Sequence, residues 1–215
     1  MGAKRFSKII AAVPKCQTLA DVGCDHGYVG IAALEKGLAN FVVFSDISAE
    51  SLRKAKVNCP TDFRDNAKFV CQDGLGDEVV DCAVIAGMGG LETISVLTKA
   101  KHLPQTLVLQ PMRNQTDVRK YLQTDYKIIF DQKFCDVKFY DLIVAEKCAG
   151  GSALSDDEIQ FGLTNLTEPT TDFVDFLDAE IAKYQQILTR CNDLAVANIL
   201  AKTLAVAKRI REEQQ

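Results

Sequence analysis

No stretch of the 215 residues approaches the ~18 consecutive apolar residues that a membrane-spanning helix needs, so a helical membrane protein is excluded. The opening MGAKRFSKIIAAVPK lacks both the apolar core and the small-residue cleavage site of a secretory leader, and a cytoplasmic protein is expected. Histidine is scarce, with two in the chain, and none of the eight cysteines forms a C-x-x-C pair. That scatter argues against a disulfide framework, which belongs to short secreted chains, and against zinc, whose ligands cluster. Cys71, Cys82 and Cys135 sit in or beside apolar runs, where reduced thiols pack as small hydrophobes. No metal is expected.

What is present is an ordinary globular composition, 47% apolar, and a length that allows one full α/β domain plus something smaller. The net charge of −4 hides an asymmetry: residues 1–151 hold 19 Lys+Arg against 18 Asp+Glu, whereas residues 152–215 hold 6 against 11. Lys4, Arg5, Lys8 and Lys15 crowd the first fifteen residues with no acid among them. Such a face either contacts phosphates or is merely solvated; charge alone does not separate the two.

Strand-like and helix-like segments alternate through the first 150 residues. Strands are predicted at Thr18–Val22, Phe41–Ser45, Lys68–Cys71, Cys82–Ala86, Thr106–Leu109, Lys127–Phe130 and Leu142–Glu146. Four of these (41–45, 82–86, 106–109 and 142–146) are nearly unbroken apolar runs, as strands covered on both faces require. Helices are predicted at Val29–Lys36, from the Ser48 cap towards Val57, at Leu91–Lys101 and at Gln115–Gln123. This alternation implies a mostly parallel sheet with right-handed crossovers, while the last two strands, with no helix between them, suit an antiparallel pair at one edge.

The stretch CAGGSALS (148–155) reads as a linker between a domain at 1–150 and a smaller helical one at 151–215. Ser155 and Glu158 form a capping-box pattern, and Asp156 and Asp157 add negative charge at that helix start. Beyond Pro169, Phe173, Phe176, Leu177, Ile181, Tyr184, Ile187 and Leu188 recur at helical spacing. Leu194, Ala197, Leu200, Leu204, Ala207 and Ile210 repeat the stripe, which predicts a coiled-coil-like hairpin turning near Cys191–Asn192–Asp193.

The chemistry gathers at successive strand ends. The first strand runs into ADVGCDHGY, where Gly23 and Gly27 let the backbone turn and approach a ligand beneath a helix start. The second ends in Asp46, placed to accept both hydroxyls of an adenosine ribose; the third ends in CQDGL, putting Asp73 within reach of an adenine amino group. The fourth ends in AGMGG around Met88. Each acid alone could be a loop or cap residue, but four features along one crevice point to a nucleoside-bearing cofactor. A dinucleotide fingerprint would need a second glycine where Asp25 stands, and an anion there repels a pyrophosphate. Asp21 and Asp25 instead suit the sulfonium and ammonium of S-adenosyl-L-methionine.

ADVGCDHGY, AGMGG, LVLQP and FYDLIVAEK, in this order and spacing, resemble the bacterial tRNA adenine-N1 methyltransferases that modify adenine 22 of tRNA. The resemblance covers nearly the whole chain, tail included. It implies a Rossmann-like class I methyltransferase with a mostly parallel seven-stranded sheet and a small all-helical C-terminal domain. The cofactor side would comprise Asp21, Gly23, Cys24, Asp25 and Gly27, then Asp46 and Ile47, then Gln72, Asp73 and Gly74, and lastly Ala86 and Gly87. The substrate side would comprise His26, Tyr28, Met88, Gly89, Gly90, Pro111 and Met112. One departure stands out: the family usually reads LQPN, and here Met112 takes the asparagine position, with Asn114 two residues on.

Adenine N1 is already an unprotonated nucleophile, so alignment with the methyl matters more than a base. Asp25 and Gln110 are the catalytic candidates, Asp25 to stabilise the cationic product or only to hold the methionine amine, and Gln110 to orient the base. His26 is either loop packing or a base, and Tyr28 either core or a stacking partner for a flipped adenine. For phosphates, the N-terminal basic helix, Arg113, Arg119 and Lys120 are the available cations. The acidic tail either recognises tRNA through a few residues such as Lys202, Lys208, Arg209 and Arg211 or only braces the fold. The competing readings are a small-molecule or other nucleic-acid methyltransferase of the same fold and a catalytically impaired cofactor-binding protein. The partner expected is tRNA, with no membrane; the oligomeric state stays open, a monomer favoured.

Overall fold

The computed structural model describes residues 2–190 and 194–213. Seven strands form one sheet: β1 (Cys16–Val22), β2 (Ala39–Asp46), β3 (Ala67–Cys71), β4 (Cys82–Ala86), β5 (Thr106–Gln110), β6 (Tyr126–Cys135) and β7 (Phe139–Lys147). Their spatial order is β3-β2-β1-β4-β5-β7-β6. The first five are mutually parallel, and β7 runs antiparallel between β5 and β6. The order reverses at β1, where β2 lies on one side and β4 on the other, opening a crevice at the strands' C-terminal ends.

The unbroken apolar runs work as strands because alternate residues feed two different cores. Leu19, Val42, Val84 and Val108 pack on one face with α1 (Ala3–Ala12), α2 (Tyr28–Glu35) and α3 (Ala49–Asn58). Their neighbours Ala20, Val43, Ile85 and Leu109 face the other way, onto α4 (Gly90–Lys99) and α5 (Gln115–Leu122). Ser48 caps α3, accepting from the Ser51 amide. Every predicted strand and helix of this part is present, most of them extended by a residue or more at an end. The sixth strand is ten residues rather than four, because its ladder with β7 continues past an irregularity between Ile128 and Phe130.

The tail comprises α6 (Asp156–Phe161), α7 (Leu163–Thr167), α8 (Thr171–Leu188) and α9 (Leu194–Glu213). The capping box of Ser155 and Glu158 forms as read. Phe161, Phe173, Leu177, Ala207 and Ile210 make a third core between α6, α8 and α9. The turn at Cys191–Asn192–Asp193, and the side chains of Leu194, Leu200 and Lys202, lie outside the described residues. The stretch 148–155 is not a free linker. Ser152 donates to the Gln123 carbonyl, Leu154 donates to the Gln123 side chain, and Gly151 is pressed too closely on Gln123 to admit a Cβ.

The tail also closes the edge of the sheet. In the second half of β6 three alternate amides meet side chains: Asp131 N donates to Thr164, Lys133 N to Asn165, and Cys135 N to Asp172. Beneath them, Arg119 is 1% exposed and forks onto Asp131 at 2.6 and 2.9 Å while reaching Asp141 at 2.7 Å. Lys133 completes the group, 2.5 Å from Asp141 and 4.2 Å from the Phe176 ring. Burial opposes ionisation of Asp141, yet Lys133 and Arg119 together hold its carboxyl below the usual range. Arg119 is therefore a structural cation, and its expected role as a phosphate contact is overturned by its burial.

Candidate cofactor and active site

The crevice begins where β1 ends. Gly23, Asp25 and Gly27 all adopt positive φ, a conformation that favours glycine and that Asp25 adopts at a cost. The turn is pinned to β2, since Gly23 N and Cys24 N both donate to the Ser45 carbonyl. Asp21 is buried and accepts from Gly30 N at 2.9 Å, tying β1 to α2. Burial, helped by the nearby charge of Asp46, pushes its carboxyl up to about 7, against the pull of that hydrogen bond.

Asp46 holds two backbone amides, Asp25 N at 3.0 Å and Ser48 N at 2.8 Å, with one carboxylate oxygen each. Each oxygen keeps a lone pair for a ligand hydroxyl. Asp73 is bonded to Lys99 at 2.7 Å, and Gln72 turns back to donate to the carbonyls of Gly74 and Leu75. Ser45 donates to the Gly74 carbonyl as well, so the β3 loop is fixed from two sides.

Two cavities meet at Gly23. One, of about 460 Å³, is lined by Asp46, Ile47, Gln72, Asp73 and Gly74, and by Met88, Glu92, Ser95, Val96 and Lys99 across from them. The other, of about 290 Å³, gathers Asp21, Cys24, Asp25, His26 and Tyr28, closed by Ala86, Gly87 and Arg5. Met88 lies over Gly23, where a Cβ would collide with its terminal methyl. His26 and Tyr28 stack in parallel, 5.3 Å between centroids, and Tyr28 is 55% exposed at the rim.

The remaining expected site residues lie behind this crevice. Gly27, at positive φ, caps α2, and a Cβ there would press on Ala55 of α3 and Phe44 of β2. Gly90 is packed on the carbonyls of Arg113 and Asn114, and Gly89 leaves no room beside Glu92. The β4 and β5 loops are zipped together: Gly87 N donates to Gln110 O, Met112 N to Met88 O, and Gly90 N to Arg113 O. Gln110 is fully buried before Pro111; its amide nitrogen faces the Pro111 carbonyl at 3.3 Å and the Met112 sulfur at 3.5 Å. Its Oε1 has no donor.

Sequence reasoning missed the α4 contribution, although Glu92, Ser95, Val96 and Lys99 recur at three- and four-residue spacing and so share one helix face. It also counted Arg5 within a basic face that either contacts phosphates or is solvated, whereas Arg5 lines the smaller cavity. Arg113 is exposed but bonded to Glu92 at 2.9 Å. Among the described residues no group of three or more His, Cys, Asp or Glu is arranged to hold a metal, and no helix is long and apolar enough to cross a membrane.

The arrangement fits a nucleoside joined to a charged side arm. Acids end β2 and β3 on one flank of Gly23, acids of the β1 turn lie on the other, and positive-φ glycines at 23 and 87 bring backbone close to the space between. With the strand order and the reversed β7, this is the Rossmann-like fold of the class I S-adenosylmethionine-dependent methyltransferases. The chain belongs to the methyltransferase-domain family, whose model matches residues 3–143. The tRNA (adenine(22)-N(1))-methyltransferase of Bacillus subtilis is 27% identical over 177 residues, 78% of this chain and 73% of that protein. The crystal structure of Streptococcus pneumoniae Sp1610, provisionally a tRNA (m1A22) methyltransferase, superposes with a TM-score of 0.89 at 24% identity, covering 98% of this chain and 100% of that one. Its complex with S-adenosyl-L-methionine superposes with a TM-score of 0.82 at 25% identity over the same shares.

Proposed function

We propose that this protein transfers the methyl group of S-adenosyl-L-methionine to N1 of adenine 22 in tRNA. The observation that carries the reading is the pair of acid-lined cavities meeting at Gly23, in a chain whose family relatives include enzymes named for that reaction. Asp46 would hold the ribose hydroxyls and Asp73 the adenine edge, while Asp21 and Asp25 face the methionine arm. Bound S-adenosyl-L-methionine supplies an electrophilic methyl on a sulfonium.

The protein's own part is alignment and charge. Adenine N1 needs no deprotonation, so no residue has to act as a base, and the exposed His26–Tyr28 stack is a platform for a base withdrawn from its helix. Gln110 keeps a buried acceptor, and an adenine amino group is a donor of the matching kind. Asp25, at the rim of the smaller cavity, places negative charge where the methylated base becomes cationic. All of these residues precede Gly151, so we assign cofactor binding and chemistry to residues 1–150. The tail, 151–215, contributes by shape rather than as a phosphate clamp, because Arg209 and Arg211 are already bonded to Asp157, Glu213 and Asp178. A cytoplasmic location follows from a tRNA substrate.

The test is methyl transfer from labelled cofactor to unmodified tRNA, followed by nucleoside analysis. The expected product is 1-methyladenosine, abolished when adenine 22 is replaced. Transfer that ignores that replacement would reassign the position, and transfer to small molecules only would remove tRNA from the reading.

A further inference from the structure

A third cavity adjoins the His26–Tyr28 stack. It measures about 690 Å³ and runs along α1 and α2 to the end of α3. Apolar side chains make most of its wall: Ile31 and Ala32 of α2, Phe6 and the exposed Ala3 of α1, and the ring of Tyr28. Glu35, Lys36 and Asn58 supply the polar atoms. Tyr28 also lines the smaller cavity of the candidate site, so one aromatic side chain is common to the two spaces.

The groove is tied to the site by more than that ring. Asn58 donates to the His26 carbonyl at 3.0 Å, which fixes the end of α3 against the β1 turn. His26 covers one face of Tyr28, the two rings 4° from parallel, so a flat group entering the groove has the other face to stack on. Lys36 follows α2, and Lys54 lies one turn before Asn58 on the same face of α3. Among the described residues neither lysine makes an ion pair.

These features select an occupant. Withdrawing one base from a stack leaves its neighbour unstacked, with a flat face open beside a phosphate. An aromatic ring answers that face, the apolar wall keeps water from it, and unpaired lysines answer the phosphate. Glu35 adds an acceptor for a base amino group. An apolar protein segment would match the wall but leave both cations unmatched.

We propose that this groove holds the nucleotide next to the methylated adenine in the tRNA chain, its base on Tyr28 and its phosphate towards Lys36 and Lys54. The inference rests on the tRNA reading above and deepens it. Substrate choice then extends past the reacting base to its neighbour, and it is made by α1, α2 and α3 rather than by the tail.

The test measures methyl transfer by the full chain to intact tRNA and to two tRNAs with an abasic site, one on each side of adenine 22. For the wild-type protein one of the two is expected to lower kcat/KM roughly five- to a hundredfold, mainly through KM, the span of one base stacked on an aromatic ring. Ala3→Trp fills the groove from an exposed position. It should impose a similar loss on intact tRNA, leave the calorimetric affinity for S-adenosyl-L-methionine unchanged, and add nothing to the loss already caused by the abasic site. That non-additivity separates a lost contact from damage to the tRNA fold. Two abasic tRNAs methylated as well as the intact one would overturn the proposal without any variant having to fold. So would an Ala3→Trp protein that weakens intact and abasic tRNAs by the same factor, because the groove would then act on something other than that base. A wild-type protein that leaves intact tRNA unmethylated would instead overturn the tRNA reading, and this inference with it.

Discussion

Where α5 meets β6 and β7, Arg119, Lys133, Asp131 and Asp141 bury their charges together, each carboxylate within 3 Å of a cation. At the ends of β1, β2 and β3, Asp21, Asp25, Asp46 and Asp73 are arranged otherwise. Asp21 is buried with no cation, Asp46 leans on backbone amides, and Asp25 faces His26 at 3.7 Å, an ion pair only if that ring is protonated. Only Asp73 has a lysine. The two groups differ in who supplies the positive charge: the protein in one, a ligand in the other. A buried ion cluster completed internally marks a structural joint; one left incomplete beside a cavity marks a site.

The strongest way to break this comparison is Arg119→Leu. Removing the guanidinium strands Asp131 and crowds Asp141 onto Lys133 alone, a loss of roughly 3–5 kcal/mol in denaturant unfolding. If the variant were no less stable than Asp73→Asn, the buried cluster would not be a structural joint. Next in size is Asp21→Asn, which keeps an acceptor for Gly30 N but cannot ionise. Asp21 titrates near 7 when folded and near 3.9 when unfolded, so the folded state holds its proton more tightly. The stability this gives is complete below about pH 4 and lost as pH rises through about 7, an upper bound of about 4 kcal/mol. Asp21→Asn should therefore unfold later than the wild-type protein at pH 8 and alongside it at pH 4; a gap that ignores pH would contradict the sign.

Smaller effects sharpen the contrast. Asp46→Ala should weaken cofactor binding by ~1.5–3 kcal/mol, since a charged acceptor is lost. Calorimetry on a folded variant with undiminished affinity would take Asp46 out of the site. Smallest of all, Thr164→Val removes one edge cap from β6. It should cost about 0.5–1.5 kcal/mol and speed hydrogen exchange at the Asp131 amide while leaving the cofactor crevice unchanged.

The strand ends were legible because each follows an apolar run with a glycine, an acid or both within a few residues, all local signals. Ser48 and the Ser155–Glu158 box were legible for the same reason. Arg119 was misread because its partners, Asp131 and Asp141, are 12 and 22 residues away, and nothing in the sequence joins them. Arg5 was read as one of four basic residues on one face, yet its guanidinium lies against Tyr140 and Met112, far along the chain. Gly27 and Gly90 were listed for the site, and the close approach of Ala55 and of the Asn114 carbonyl to them had no local signal. Charge and glycine are visible in sequence; what each one faces is set by distant packing.

The side chains that meet the β6 amides decide how this sheet behaves among other molecules. A strand with open amides at every second residue is a template onto which a strand of another chain can add, and repeated addition builds fibrils. Thr164, Asn165 and Asp172 occupy those positions at Asp131, Lys133 and Cys135, with α7 and the start of α8 standing where a further strand would have to lie. Along residues 131–135 an incoming strand would have to displace two helices and three hydrogen bonds. At this edge the tail thus acts as a terminator of sheet growth, a service to solubility that it renders whether or not it ever touches an RNA.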